Sequence, residues 1–195
     1  TKYLDLVNNV SHVGHCNPHV VEAGQKQMAI LNTNSRYLYG GITDYLGRLS
    51  STLPESLTVG FLVNSGSEAN ELAVRLARSF TGNHDMAVIE SAYHGHTGML
   101  IDLSPYKFRG PGGHGSPEAW VHVLPIPDTY RRPAIDYSGE AMEEMKQAGP
   151  LAGLLIESML SCAGQVPLPP GYFSDVASAV RNQGGLLIAD EVQVG

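Results

Sequence analysis

The stretch LLIADEVQVG, residues 186–195, runs four apolar residues into Asp190. An apolar run of this length, entered from a Gly-Gly pair and left through charge, reads as a strand buried on both faces that ends by presenting an acid. Three earlier runs have the same form: MAVIE (86–90), WVHVL (120–124) and AGLLIES (152–158), with GLLIAD (185–190) as the last. Helical patterns at 138–148 and 172–183 separate several of them. Strand alternating with helix predicts an α/β fold built on a mainly parallel sheet. Upstream, FLV (61–63) is expected to be a short buried strand. It leads into a helix over 67–80, where Ala69, Leu72, Ala73, Leu76, Ala77 and Phe80 recur at helical spacing. Helices are also expected at 18–31 and at 42–53, before Pro54, and the Gly/Pro-rich piece at 106–118 is expected to be a surface loop.

The composition suits one ordinary globular domain of 195 residues, with 43% hydrophobic and 16% charged residues. No apolar run is long enough to cross a membrane. The net charge is −7, and the twelve Lys and Arg are scattered, which argues against nucleic acid or an anionic membrane as partner. Two cysteines, Cys16 and Cys162, are too few for a disulfide framework and suit a reducing, cytoplasmic setting. The first residues, TKYLDLVNNV, have no initiator Met, basic flank or apolar signal core, so the chain is expected to begin partway into its parent.

In such sheets, ligands bind beyond the carboxyl ends of the strands. Three chemistry-bearing stretches fall there: NSGSEAN after FLV, SAYHGHT after MAVIE, and DEVQ after LLIA. NSGSEAN (64–70) opens a helix whose free N–H groups and dipole suit a phosphate, while its Ser, Gly and Glu taken alone favour a capped helix start. Tyr93 offers a ring to stack on a planar ligand, with Gly95 permitting close approach, or else caps the core. Asp190, shielded from water, needs a partner: a protonated heteroaromatic nitrogen, or a structural salt bridge or helix cap. His12, His15, Cys16, His19, His94 and His96 are competent metal ligands, but no pair has the spacing of a zinc motif. No metal is expected.

GHCNP (14–18), NSGSEANELAVRLAR (64–78), AYHGHT (92–97) and IADEVQVG (188–195) together resemble the class III aminotransferases, pyridoxal-phosphate enzymes of fold type I. Asn17 departs from the His usual there. The resemblance implies an N-terminal segment over 1–40 and the first part of the cofactor-binding large domain over 41–195. It implies that Gly66 and Ser67 hold the cofactor phosphate, that Tyr93 and Val192 cover the two ring faces, and that Gln193 bonds the phenolic oxygen. Asp190 would pair with the pyridine nitrogen, with His94 and Glu157 completing the cofactor-binding set.

NTNSRYLY (32–39), SPYKF (104–108), WVHVLPIPDTYRRP (120–133) and ESMLSCAGQ (157–165) resemble the phospho-lyase branch of that family, which eliminates phosphate from phosphoethanolamine or 5-phosphohydroxylysine. His96 stands where ornithine-type enzymes carry an Arg, and Cys162 where many members carry a switch Glu. Both losses suit an enzyme that needs no keto acid. Arg36, Lys107 and Arg109 are candidates for the substrate phosphate, and each reads as well as an ordinary surface cation. The family's Schiff-base lysine lies beyond DEVQ, and Lys2, Lys26, Lys107 and Lys146 do not match its context. This polypeptide alone is therefore expected to be inactive, as part of a longer enzyme that is homodimeric or larger. A true transaminase, a module that only binds pyridoxal phosphate, and a metal protein are the alternatives.

Overall fold

The computed structural model describes residues 2–5 and 10–194. Thr1, residues 6–9 and Gly195, which belong to the expected N-terminal segment and to the closing DEVQVG, lie outside the described residues. The chain forms two compact units, one ending at Phe61 and one beginning at Leu62.

The first unit holds α1 (Pro18–Ile30) and α2 (Gly40–Ser50). Asn17 caps α1 by accepting from the amides of His19 at 3.1 Å and Val20 at 3.5 Å, with Pro18 in the first turn. The departure from the family's His is thus a good helix cap. No residue of either helix is buried. Among the described residues the first unit has no buried core of its own.

The second unit runs α3 (Gly66–Thr81), β1 (Asp85–Ile89), α4 (Gly98–Asp102), α5 (Tyr106–Arg109), β2 (Val121–Leu124), α6 (Tyr137–Gln147), β3 (Leu151–Glu157), β4 (Met159–Leu160), β5 (Val166–Pro167), α7 (Tyr172–Asn182) and β6 (Leu186–Asp190). Four strands form a parallel sheet in the order β2-β1-β3-β6, and β4 and β5 form a small antiparallel ladder. All seven residues of β3 are buried, as expected of an inner parallel strand covered on both faces. Alternate residues of β1 serve opposite layers. Ala87 and Ile89 pack with Ala141 and Met145 of α6 and Tyr172, Val176 and Val180 of α7. Met86 and Val88 pack with Val74 of α3 and with Leu100 and Leu103 near α4. Each fully buried aliphatic side chain contributes roughly 1.5–3 kcal/mol.

Four expectations are corrected. β6 is not buried on both faces: of Leu186–Asp190 only Asp190 is buried, because β6 stands at the edge of the four-stranded sheet. FLV (61–63) is not a buried strand: it has no ladder partner among the described residues, and Phe61 is 62% exposed. A strand exists only where a second backbone meets it, so an apolar run is not sufficient. In α3 the buried positions are Asn70, Val74 and Ala77, while Leu76 and Phe80 are exposed. The face turned to the sheet is offset from the predicted stripe, because it is chosen by the sheet's position and not by hydrophobicity alone. The piece at 106–118 opens with the single helical turn of α5.

Candidate active site

Two reciprocal bonds organise the start of α3. The Ser65 hydroxyl accepts from the Glu68 amide at 3.1 Å, and Glu68 Oε2 accepts in return from the Asn64 amide at 2.7 Å and its Nδ2 at 3.0 Å. This is a capping box reaching one residue further out than usual. The first-turn N–H groups of Gly66 and Ser67 are left with no carbonyl to meet, at the positive end of a sixteen-residue helix. Gly66 is set by close approach: a Cβ there would lie 2.6 Å from Val192 Cγ2. Val192, arriving after β6, therefore rests against the head of α3.

Beyond β1 the backbone turns through Ser91, at φ 64°, and buries Ala92 and His94 while leaving Tyr93 half-buried. His94 Nδ1 lies 2.8 Å from Asp190 Oδ2, and Asn70 Nδ2 donates to the same oxygen at 2.8 Å. Asn70 also donates to the His94 carbonyl at 3.0 Å, and the Val192 amide donates to Asp190 Oδ1 at 3.1 Å. Burial by itself would push the Asp190 carboxyl up. The hydrogen bond and charge of His94, helped by Val192 and Asn70, outweigh it and hold the group below its ordinary value. Asp190 is an ionised acid in a dry setting.

Glu157 is the register partner of Asp190 on the adjacent strand, so two buried acids stand side by side. Desolvation pushes the Glu157 carboxyl up, and Asp190 adds to this. The hydrogen bond from Ser161 Oγ to Glu157 Oε1 and the charge of His94 oppose the rise without cancelling it. The environments of the two acids drive their protonation apart, one kept charged and the other drawn toward neutrality. Among the described residues, Glu157 Oε2 and His94 Nε2 are buried without a hydrogen-bond partner.

These groups open onto a cleft of about 160 Å³. Gly66, Ser67, Tyr93, His94, Glu157, Asp190, Val192 and Gln193 all line it, joined by Ser65, Gly95 and Cys162. Burial pushes the Cys162 thiol up, with Glu157 adding and Ser161 and Lys107 opposing. Lys107 Nζ stands 5.1 Å from the Tyr93 ring centroid and 5.4 Å from that of Tyr106. Arg109, by contrast, is committed to Glu90 at 2.6 Å. Arg36 belongs to the first unit, where its backbone N–H donates to Asn34 Oδ1 at 3.0 Å. A wider depression of about 690 Å³ beside α6 is lined by Arg132 and Glu140, which satisfy each other at 2.6 Å. Among the described residues no three His, Cys, Asp or Glu side chains converge as a metal site.

Sequence reasoning missed Asn70 and Ser161. Asn70 had a signal, a polar residue at the i, i+4, i+7 stripe with Val74 and Ala77. Ser161 had none, because it meets Glu157 only where the chain bends back at the end of β4.

The class III aminotransferase family model matches residues 1–195. The chain is 47% identical over 210 residues to "Alanine--glyoxylate aminotransferase 2-like" of Drosophila melanogaster, covering all of this chain and 42% of that protein. It is 45% identical over 216 residues to "Ethanolamine-phosphate phospho-lyase homolog 1" of Caenorhabditis elegans, covering all of this chain and 46% of that one. A phospholyase from Arthrobacter, solved in complex with phosphoethanolamine, superposes with a TM-score of 0.88 at 38% identity, over 99% of this chain and 47% of that chain. The chain thus spans less than half the length of these relatives. With the match running over every residue, the chain belongs to the class III aminotransferase family.

Proposed function

We propose that the complete protein is a pyridoxal-phosphate enzyme that eliminates phosphate from a small phosphorylated amine such as phosphoethanolamine. The observation that carries the reading is one cleft with an ionised, buried Asp190 and the unsatisfied amides at the head of α3 both on its walls. The residues fit the cofactor. A cation at a ring nitrogen would meet Asp190, a phosphate dianion would meet the Gly66 and Ser67 amides, and Gly66 lets Val192 pack against the head of α3. When bound, the cofactor supplies an electron sink for the carbon that bears the substrate's nitrogen.

The chain's own residues do the rest. His94 and Asn70 orient Asp190 and keep it charged, so that it holds a proton on the ring nitrogen. Tyr93 and Val192 would cover the ring, Gln193 would bond its phenolic oxygen, and Glu157 would stand by as an acid drawn toward its neutral form. Lys107, set over Tyr93 and paired with no carboxylate among the described residues, whereas Arg109 is bonded to Glu90, is the substrate-phosphate residue favoured by the geometry; Arg36 is a second candidate. Cys162 in place of an acid leaves no negative charge there to repel the substrate phosphate. Residues 1–40 are an N-terminal segment and 41–195 the first part of the large domain, in a cytoplasmic enzyme that is a homodimer or higher. Among the described residues no helix is long and apolar enough to cross a membrane.

The test is phosphate release by the complete protein loaded with pyridoxal phosphate, with phosphoethanolamine and no keto acid. Release of phosphate and ammonia supports the lyase. Turnover only when a keto acid is added selects a transaminase.

A further inference from the structure

The loop after β1 makes a contact with α3 that the proposed chemistry does not use. His96 Nδ1 lies 3.3 Å from Ser67 Oγ, and the His96 backbone N–H donates to the same oxygen at 3.4 Å. The approach is built in, because Gly95 sits at φ +140° and a Cβ there would come within 2.6 Å of Ser67 Oγ. Thr97 adds a second tie to the helix, its hydroxyl donating to Glu71 Oε2 at 2.5 Å. Ser67 opens α3 and lines the cleft together with His94 and Glu157, whose Nε2 and Oε2 are buried without a hydrogen-bond partner among the described residues.

A hydroxyl has one proton and two lone pairs. With the cleft free of an anion, Ser67 is able to spend its proton on His96 Nδ1 while accepting from the His96 amide. A phosphate at the head of α3 claims that proton instead. Ser67 Oγ is then an acceptor only toward the loop, and its second lone pair is satisfied if Nδ1 carries a proton. The imidazole thus switches from acceptor to donor and polarises the serine hydroxyl toward the anion.

The geometry points to His96 as a positioning residue for phosphate, acting through Ser67 on a phosphate monoester at the head of α3. This rests on the proposed cofactor reading of the cleft. The monoester has two sources, the cofactor and the phosphorylated amine, and a single set of variants separates them.

The experiment compares the wild-type complete protein with His96→Phe, which removes the Nδ1 group, and His96→Asn, whose Nδ2 restores a donor in its place. Cofactor dissociation constants are read by absorbance for pyridoxal phosphate and for unphosphorylated pyridoxal. KM is then measured at saturating cofactor for phosphoethanolamine, and inhibition by unphosphorylated ethanolamine serves as the reference. His96→Phe is expected to weaken the phosphorylated ligand on the order of tenfold and spare its unphosphorylated counterpart, with His96→Asn recovering most of the loss. A loss confined to pyridoxal phosphate assigns the contact to the cofactor, and one confined to phosphoethanolamine assigns it to the substrate. Equal losses for phosphorylated and unphosphorylated ligands, no loss, or no recovery by asparagine overturns the inference. If the wild type itself does not prefer pyridoxal phosphate to pyridoxal, it is the cofactor reading that fails. His96 is exposed, so these variants leave the core untouched.

Discussion

The same pair of residue types stands at both ends of the sheet, with different consequences. At the carboxyl ends, His94 meets Asp190 at 2.8 Å with both side chains nearly inaccessible. At the amino ends, His122 of β2 meets Asp85 of β1 at 2.9 Å, with side-chain exposures of 19% and 31%, and His84 comes within 3.8 Å of the same acid. The bond lengths barely differ. Asp190 is also held by Asn70 and Val192 and faces Glu157 across the register. Asp85 is 31% exposed instead. A site is made by burial, convergence and an opening for a ligand; a histidine and an aspartate at hydrogen-bond distance are not enough.

The comparison is tested most severely by removing the charge at each end. Asp190→Asn keeps the shape and loses the ionised partner for a ring nitrogen, so phosphate release by the complete protein should fall on the order of 10²–10³-fold. Asp85→Asn should leave that rate unchanged. A comparable loss for Asp85→Asn would break the distinction.

Stability should follow. His94→Leu strands a buried, ionised Asp190 and should cost about 3 kcal/mol in a denaturant titration. His122→Leu should cost under about 1 kcal/mol, as for half-exposed ion pairs. Similar values at the two ends would mean that burial does not govern the pair.

Glu157 sharpens the contrast through pH. Its folded carboxyl is raised above the ordinary 4.5, so folding carries a penalty wherever the unfolded chain is ionised and the folded one resists ionising. That penalty is present at neutral pH and fades as pH falls to about 4.5. Glu157→Gln should therefore melt higher than wild type at pH 7, with the gap closing toward pH 4.5. Asp190 works in the opposite sense. Its lowered carboxyl stabilises the fold above the ordinary 3.8, and that contribution is lost as pH falls through the depressed value, so it does not mask the Glu157 effect. A Glu157→Gln protein less stable than wild type at pH 7 would show that the glutamate is satisfied as a carboxylate. The smallest expected change is in Asp85→Asn, whose melting should shift by less than the equivalent of about 1 kcal/mol.

The two units extend the lesson from pairs to elements. β3 was legible in AGLLIES (152–158), because a strand buried on both faces is apolar up to the acid that ends it. FLV carried a similar signal and forms no strand, since a ladder needs a second backbone that three residues do not specify. α1 and α2 were legible as helices from their patterning and, for α2, from Pro54 beyond its end, yet neither buries a residue. Arg109 and Lys107 looked alike as phosphate candidates, and only the distance to Glu90 separated them.

Local rules were sufficient for the four strands of the main sheet and for α1, α2, α3, α6 and α7, for the head of α3 and for the acid at the end of β6. Periodicity, capping chemistry and the direction of a parallel strand are all written within a few residues of one another. What Asp190 meets was decided elsewhere, by Asn70, 120 residues away, and His94, 96 residues away. The protonation of Glu157 depends on a strand register that sets it beside Asp190, and the tie between His96 and Ser67 spans 29 residues. Charge state and hydrogen-bond partnership follow from distance and burial, and these exist only once the sheet has closed.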